Sequence, residues 1–178
     1  EQARGLVAAA ADKFGAVDIL VNSASIWQNT PLPMGDFADW HRVLGVLLDG
    51  SMYLADAVAP MMKERGEGAM VNIVDLAAWK PFRTYVAHSV GKAGLLALTR
   101  SLAIELAPAV SVNAIAPGPV LPPPDYSQAQ IDRIAGKTLK GRWGAAQDVA
   151  DAARFLVEAD YITGEVIVVD GGERFGPV

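Results

Sequence analysis

Cysteine is missing from all 178 residues, which excludes a disulfide framework and thiolate chemistry. Histidine occurs only twice, too seldom for a His-rich zinc site, and no metal site is expected. Positive charge is also in short supply. Lys and Arg number 15 against 20 Asp and Glu, a formal charge of −5, so no basic face for nucleic acid is expected. Long apolar runs are missing as well. The uncharged stretch from Ala107 to Pro124 is broken by repeated prolines, and no membrane span or signal peptide is evident, so a cytoplasmic product is the expectation. The first residue is Glu1 rather than Met, which points to a processed, trimmed or partial chain. What remains is an ordinary globular composition, 52% apolar and 20% charged with a mean hydropathy of +0.25. The length suits one domain over 1–178 with a sizeable core.

Residues 2 to 14 read as an Ala-rich helix with Gly15 at its C-terminal cap. Val17 to Asn22 (VDILVN) has strand length and enough apolar residues for burial on both faces. Ser23 to Gly35 is a loop punctuated by Pro31 and Pro33. Asp36 is placed to cap a long helix through Arg65, ended by Gly66 and Gly68. Ala69 to Asp75 reads as a second strand, and Thr84 to Leu106 as a helix stopped by Pro108. Val110 to Ile115 is a third strand, followed by a Pro-rich loop from Pro117 to Pro124. Helices near 127–137 and 147–158 precede a fourth strand, Glu165 to Asp170. Alternating strands and helices predict an α/β fold, a parallel sheet with helices on both faces. Ligands of such sheets bind beyond the carboxyl ends of the strands, so the loops after Asn22, Asp75 and Ile115 are the candidate site.

Five segments in register carry a resemblance. They are Val17 to Ser25 (VDILVNSAS), His88 to Leu95 (HSVGKAGL), Leu98 to Pro108 (LTRSLAIELAP), Val112 to Val120 (VNAIAPGPV) and Val169 to Gly172 (VDGG). Together they resemble the classical short-chain dehydrogenase/reductase family. The resemblance implies a Rossmann-like fold and hydride transfer between NAD or NADP and a small carbonyl or imine. It implies four catalytic positions, an Asn, a Ser, a Tyr and a Lys. Tyr and Lys lie four residues apart on one face of a helix. There the Lys holds the nicotinamide ribose and favours the ionised Tyr, the Tyr exchanges the proton, and the Ser polarises the substrate oxygen.

Lys92 matches the family Lys, but the other three positions differ. His88 stands at the Tyr position, Asp75 at the Ser position and Leu47 at the Asn position. An Asp in place of the Ser is similar to the pteridine reductase branch, and so are the stretches 71–75 and 101–108, although that branch keeps its Tyr. As imidazolium, His88 could donate a proton; a carboxylate within reach would favour the charged ring and a nearby ammonium would oppose it. The resemblance therefore implies a weakened catalytic relay of Asp75, His88 and Lys92. The bland alternative is that His88 has drifted to a non-catalytic residue. Tyr85, one turn earlier, is about 5.4 Å away along a helix and reads as a packing or pocket-wall aromatic.

By the same resemblance, Asn22, Ser23 and Ala24 border the adenosine side of the cofactor cleft, and Ser25 crowds it where the family keeps Gly. Pro117 and Gly118 form the turn against the nicotinamide, with Val120 near its carboxamide. No G-x-x-x-G-x-G phosphate turn occurs in the sequence. The expectation is a C-terminal portion of the family fold whose N-terminal strands are missing. Such a piece leaves an unpaired edge on the VDILVN strand, is marginal in solution and binds cofactor poorly. Two functions follow: an NAD(P)-dependent oxidoreductase with a small-molecule substrate, or a catalytically impaired homologue acting by subunit association. The resemblance implies a homo-oligomer, dimer or tetramer, through the helices near 36–65 and 84–106. An Asp75–His88–Ser89 hydrolase is a poor third, because neighbours on a helix point about 100° apart. Trp27, Trp79 and Trp143 are candidates for a pocket lining, with buried packing as the plainer expectation.

Overall fold

The computed structural model describes residues 1–176, and the last two residues of the expected 1–178 domain lie outside the described residues. The chain opens with helix α1 (Gln2–Phe14), closed by Gly15 at φ 89°. Strand β1 (Ile19–Asn22) leads to helix α2 (Ala38–Leu44), a wider turn of π geometry (Gly45–Asp49) and helix α3 (Gly50–Arg65). Then come β2 (Ala69–Ile73), α4 (Val86–Glu105), β3 (Ser111–Pro117), α5 (Gln128–Ala135), α6 (Ala146–Glu158) and β4 (Val166–Val169). The strands form one parallel sheet in the order β1-β2-β3-β4. Short 3₁₀ turns follow β2 and β4, at Leu76–Ala78 and Glu173–Phe175, and neither was legible in the sequence. The predicted elements are all present, with ends displaced by at most two residues, the ordinary uncertainty of frayed termini.

The register explains which face each helix covers. Met70 and Asn72 of β2 face α3 and α4, where Val58, Met62, Leu102 and Val112 close one core. Val71 and Ile115 face the other way and pack against Leu156 of α6. Helices thus lie on both faces, as a parallel sheet requires. The stretch Ala38–Arg65 is long and apolar enough to span a membrane by length and composition. Val43, Leu47, Val58 and Met62 in it are fully buried in the core, while Leu44, Val46, Leu48 and Leu54 are half-buried and Met52 and Tyr53 are exposed.

One expectation fails at β1. Ile19 and Val21 pair in register with Ala69 and Val71, so they belong to the face that α6 covers. Helix α6 packs on β2, β3 and β4 and stops short of β1. Each of the two side chains is therefore 47% exposed, and the strand is buried on one face rather than both.

Close backbone approach sets the layer above β2. A Cβ on Gly91 would lie 3.1 Å from Leu47 Cβ, and one on Gly94 would lie 3.0 Å from a Leu48 methyl. Two glycines on one face of α4 thus let the π turn settle against it. Burying Leu47 costs nothing polar: it packs with Val43 and Ala87 beside Ile26 and Trp40.

Candidate active site at the carboxyl end of the second strand

The loop after β1 is pinned to the start of α4. Thr30 donates its N–H to the Thr84 carbonyl at 2.7 Å, and its hydroxyl accepts the Ala87 N–H at 3.0 Å. Thr84 adopts φ 67°, a left-handed conformation that a β-branched residue rarely takes. This clamp brings Ile26 and Trp27 over the first turn of α4, where His88 lies.

Asp75 ends the β2 segment and starts the 3₁₀ turn. Its Oδ1 accepts the Ala77 N–H at 2.8 Å. That bond fixes the carboxyl group and turns Oδ2 toward α4. His88 Nε2 lies 2.7 Å from Asp75 Oδ2, and Nδ1 lies 3.3 Å from the Ile26 carbonyl. One turn further along α4, the Lys92 ammonium donates to the Ile73 carbonyl at 2.7 Å. Burial pushes the Lys92 pKa down, and the Asp75 charge partly restores it. The three residues that the family pattern singled out therefore converge at one point, the carboxyl end of β2.

Aromatic rings wall this point. Trp27 stacks on Tyr85 at 4.2 Å, meets Phe82 edge-on at 5.6 Å and meets the His88 ring edge-on at 4.6 Å. Tyr85 immediately precedes α4 and stacks on Trp27, in keeping with the packing or pocket-wall aromatic expected there. Trp27 and Trp79 are about half exposed, contrary to the plainer expectation of buried packing, while Trp143 is half-buried and donates to the Ile131 carbonyl. Ser89 accepts the Phe82 N–H through its hydroxyl. Both nitrogens of His88 are already engaged elsewhere, so an Asp–His–Ser triad does not form.

The remaining candidates fall into two groups. Asn22 is buried and donates to Asn72, which donates to Thr99, which donates to the Leu95 carbonyl. This chain of bonds ties the end of β1 to β2 and α4. Ser23, Ala24 and Ser25 follow it on the exposed loop. Pro117 ends β3, and the Gly118 N–H reaches the Val169 carbonyl. A Cβ on Gly118 would sit 2.8 Å from the Asp170 Cα, so close strand packing alone demands this glycine. Val120 lines a cavity of about 290 Å³ with Pro119, Lys140, Arg142 and Asp148. That lining, in which Asp148 and Asp170 stand beside Lys140 and Arg142, was not legible as a cluster, because Lys140 and Arg142 are 20 residues and more from Val120 in sequence.

The donor chemistry fits the ribose end of a nicotinamide nucleotide. The Lys92 ammonium has three N–H groups and spends one on Ile73, leaving two for a vicinal diol. Among the described residues no group of three or more His, Asp or Glu could hold a metal ion.

A parallel sheet with a Lys, an Asp–His pair and an aromatic wall at its carboxyl edge is a Rossmann-like scaffold. The comparisons narrow it. Residues 1–173 match the family described as enoyl-(acyl carrier protein) reductase. The chain is 33% identical over 173 residues to trans-4-hydroxycyclohexanecarboxylate dehydrogenase of Sinomonas cyclohexanicum, covering 96% of this chain and 65% of that protein. It is 36% identical over 186 residues to dehydrogenase/reductase SDR family member 4 of Sus scrofa, covering 97% and 64% respectively. A gluconate 5-dehydrogenase of Burkholderia cenocepacia, solved with NADP and tartrate, superposes with a TM-score of 0.90 at 31% identity. That superposition covers 98% of this chain and 71% of the other. The chain belongs to the short-chain dehydrogenase/reductase family of oxidoreductases, and it spans 64–71% of the length of the curated relatives it matches.

Proposed function

We propose that this chain supplies the substrate and nicotinamide-ribose end of an NAD(P)-dependent oxidoreductase acting on a small carbonyl compound. The observation that carries the reading is the convergence of Asp75, His88 and Lys92 within one turn of α4 at the carboxyl end of β2. A bound nicotinamide supplies or accepts the hydride. Lys92 binds the ribose hydroxyls with its two free N–H groups. The Asp75–His88 pair holds the proton that the carbonyl oxygen needs. Trp27, Phe82 and Tyr85 keep water from one side of the pair and give an apolar substrate a wall to lie against. Asn22, Ser23, Ala24, Pro117, Gly118 and Val120 border the cofactor cleft. The gluconate 5-dehydrogenase was solved with NADP, which favours a nicotinamide nucleotide without choosing between NADP and NAD for this chain.

The test is nicotinamide oxidation by the full-length protein against a panel of small ketones, aldehydes and pterins. Turnover that falls at least a hundredfold in Lys92→Met supports the reading, a loss of the size that positioning and charge commonly supply. Turnover unchanged in that variant overturns it. Restoring the family residue with His88→Tyr is expected to raise turnover; if it does not, His88 is not what limits the rate.

A second reading rests on the 39% and 60% exposure of Met52 and Tyr53 on α3 and the 78% exposure of Ile104 on α4. An impaired homologue would use such faces for homo-oligomer assembly as a dimer or tetramer. Assembly in sedimentation without turnover on any substrate favours it.

A further inference from the structure

The α4 side of the outermost strand, β4, is only partly covered. Val166 and Val168 pair in register with Ala114 and Ala116 of β3 and so belong to the same side of the sheet. The alanines are fully buried with Leu95 and Leu96 of α4, whereas the two valines, one strand further out, are half-buried. They floor a cavity of about 380 Å³. Leu76 and Trp79, at the 3₁₀ turn after β2, wall it, and Arg174, on the turn after β4, completes the lining. Asp75, His88 and Lys92 do not line it. Its size falls in the range of small-molecule pockets, roughly 300–1,000 Å³.

Arg174 is the one charged group in this apolar lining, and it is held without being neutralised. Asp170 Oδ1 accepts the Gly172 N–H at 2.8 Å and Oδ2 accepts the Arg174 backbone N–H at 2.9 Å, which fixes the turn. The guanidinium lies over the Phe175 ring, 4.8 Å from its centroid. Among the described residues no carboxylate comes within ion-pairing distance of it. The adjacent carboxyl, Glu173, has its pKa pushed up by burial, and the cations that oppose this are Lys137 and Lys80. A guanidinium at an apolar cavity favours an anionic head on an apolar body, because its fork matches a carboxylate and burial of the body supplies the rest. The half-exposed Trp79 indole offers a flat face against which an aromatic ring can lie.

We infer that this cavity binds a small aromatic carboxylate, its ring between Trp79 and the two valines and its carboxylate on Arg174. The site is separate from the reaction proposed above and does not depend on it.

The test is a titration of the full-length protein with 2-naphthoate, followed by the ¹H–¹⁵N resonances of the four tryptophan indoles. The Trp79 signal is identified by its loss in Trp79→Phe. A saturable shift of Trp79 is expected with a Kd of about 1 mM or tighter, and none at Trp27, which walls the reaction centre. A shift at Trp27 with none at Trp79 overturns the site. Uncharged 2-naphthamide on the wild type, and 2-naphthoate on Arg174→Gln, are each expected to bind about tenfold more weakly, the worth of one charge-assisted contact. Equal affinity in either case overturns the pairing of the acid with Arg174. Lys92→Met is expected to leave the affinity for 2-naphthoate unchanged; a loss there moves the acid to the reaction centre and overturns the second site. A Trp79 that does not respond also overturns it, and a changed sedimentation of Trp79→Ser then identifies a second copy of the chain as what covers the groove.

Discussion

The carboxyl end of β2 and the outer face of β1 lie one strand apart and solve opposite problems. At β2, polar groups are buried and each finds a partner: Asn72 between Asn22 and Thr99, His88 between Asp75 and Ile26, Lys92 on Ile73. At β1, apolar Ile19 and Val21 are half exposed because α6 ends its coverage at β2. Among the described residues no buried side-chain nitrogen or oxygen lacks a hydrogen-bond partner. Burial of a polar group is strongly penalised unless it is paired, whereas exposure of an apolar one costs little until another surface meets it. The first region is therefore specified tightly by the fold, and the second is left open.

The largest effect should come from cutting the polar chain at its centre. Asn72→Ala strands the Asn22 amide and removes the Thr99 contact, and a loss of about 3 kcal/mol is expected in denaturant unfolding. A loss below about 0.5 kcal/mol would mean that water replaces the network. Next is the close approach over β2. Gly91→Val pushes into Leu47 and should cost on the order of 2 kcal/mol, checked by thermal unfolding beside Gly91→Ala, whose smaller clash should cost less.

Lys92 gives a pH-dependent test. Burial lowers its folded-state pKa below the ordinary lysine value, so the unfolded chain binds the proton more tightly. Stability should then rise with pH as pH passes from the folded pKa up toward the ordinary lysine range, and this contribution is lost below that window. Lys92→Met should flatten that alkaline rise in urea midpoints measured across pH; an unchanged slope would place its cause elsewhere.

The smallest effect on folding belongs to the open edge. Ile19→Thr with Val21→Thr should change unfolding free energy by no more than about 0.5–1 kcal/mol and should reduce concentration-dependent association in light scattering. A stability loss of several kcal/mol would show that this face is covered in solution.

Much of the scaffold was legible. Short apolar strands alternating with Ala- and Leu-rich helices dictate a parallel sheet, and Pro108, Gly15 and Gly66 mark helix ends by the conformations they forbid or permit. The i, i+4 spacing of His88 and Lys92 placed both on one side of α4, and Asp75 was reachable through the family pattern. The partial exposure of β1 was not legible, since VDILVN records only that the strand is apolar and not how far α6 reaches. Nor was the contact of Ile26 and Trp27 with His88, although Trp27 was a candidate for a pocket lining. They lie 62 and 61 residues before His88, in a loop whose composition carries no periodicity.

The sequence by itself determined the order of elements, the α/β class and the side chains available at the carboxyl end of β2. Those depend on local periodicity, backbone propensity and residue identity, which act over a few residues. Only the tertiary structure decided which side chains are sealed and which stay accessible. The Thr30–Thr84 clamp lays Trp27 over His88, and the Ala77 N–H holds the carboxyl of Asp75, whose side chain stays partly exposed. Exposure is a property of everything packed around a residue, and that surrounding is assembled from segments that the chain keeps far apart.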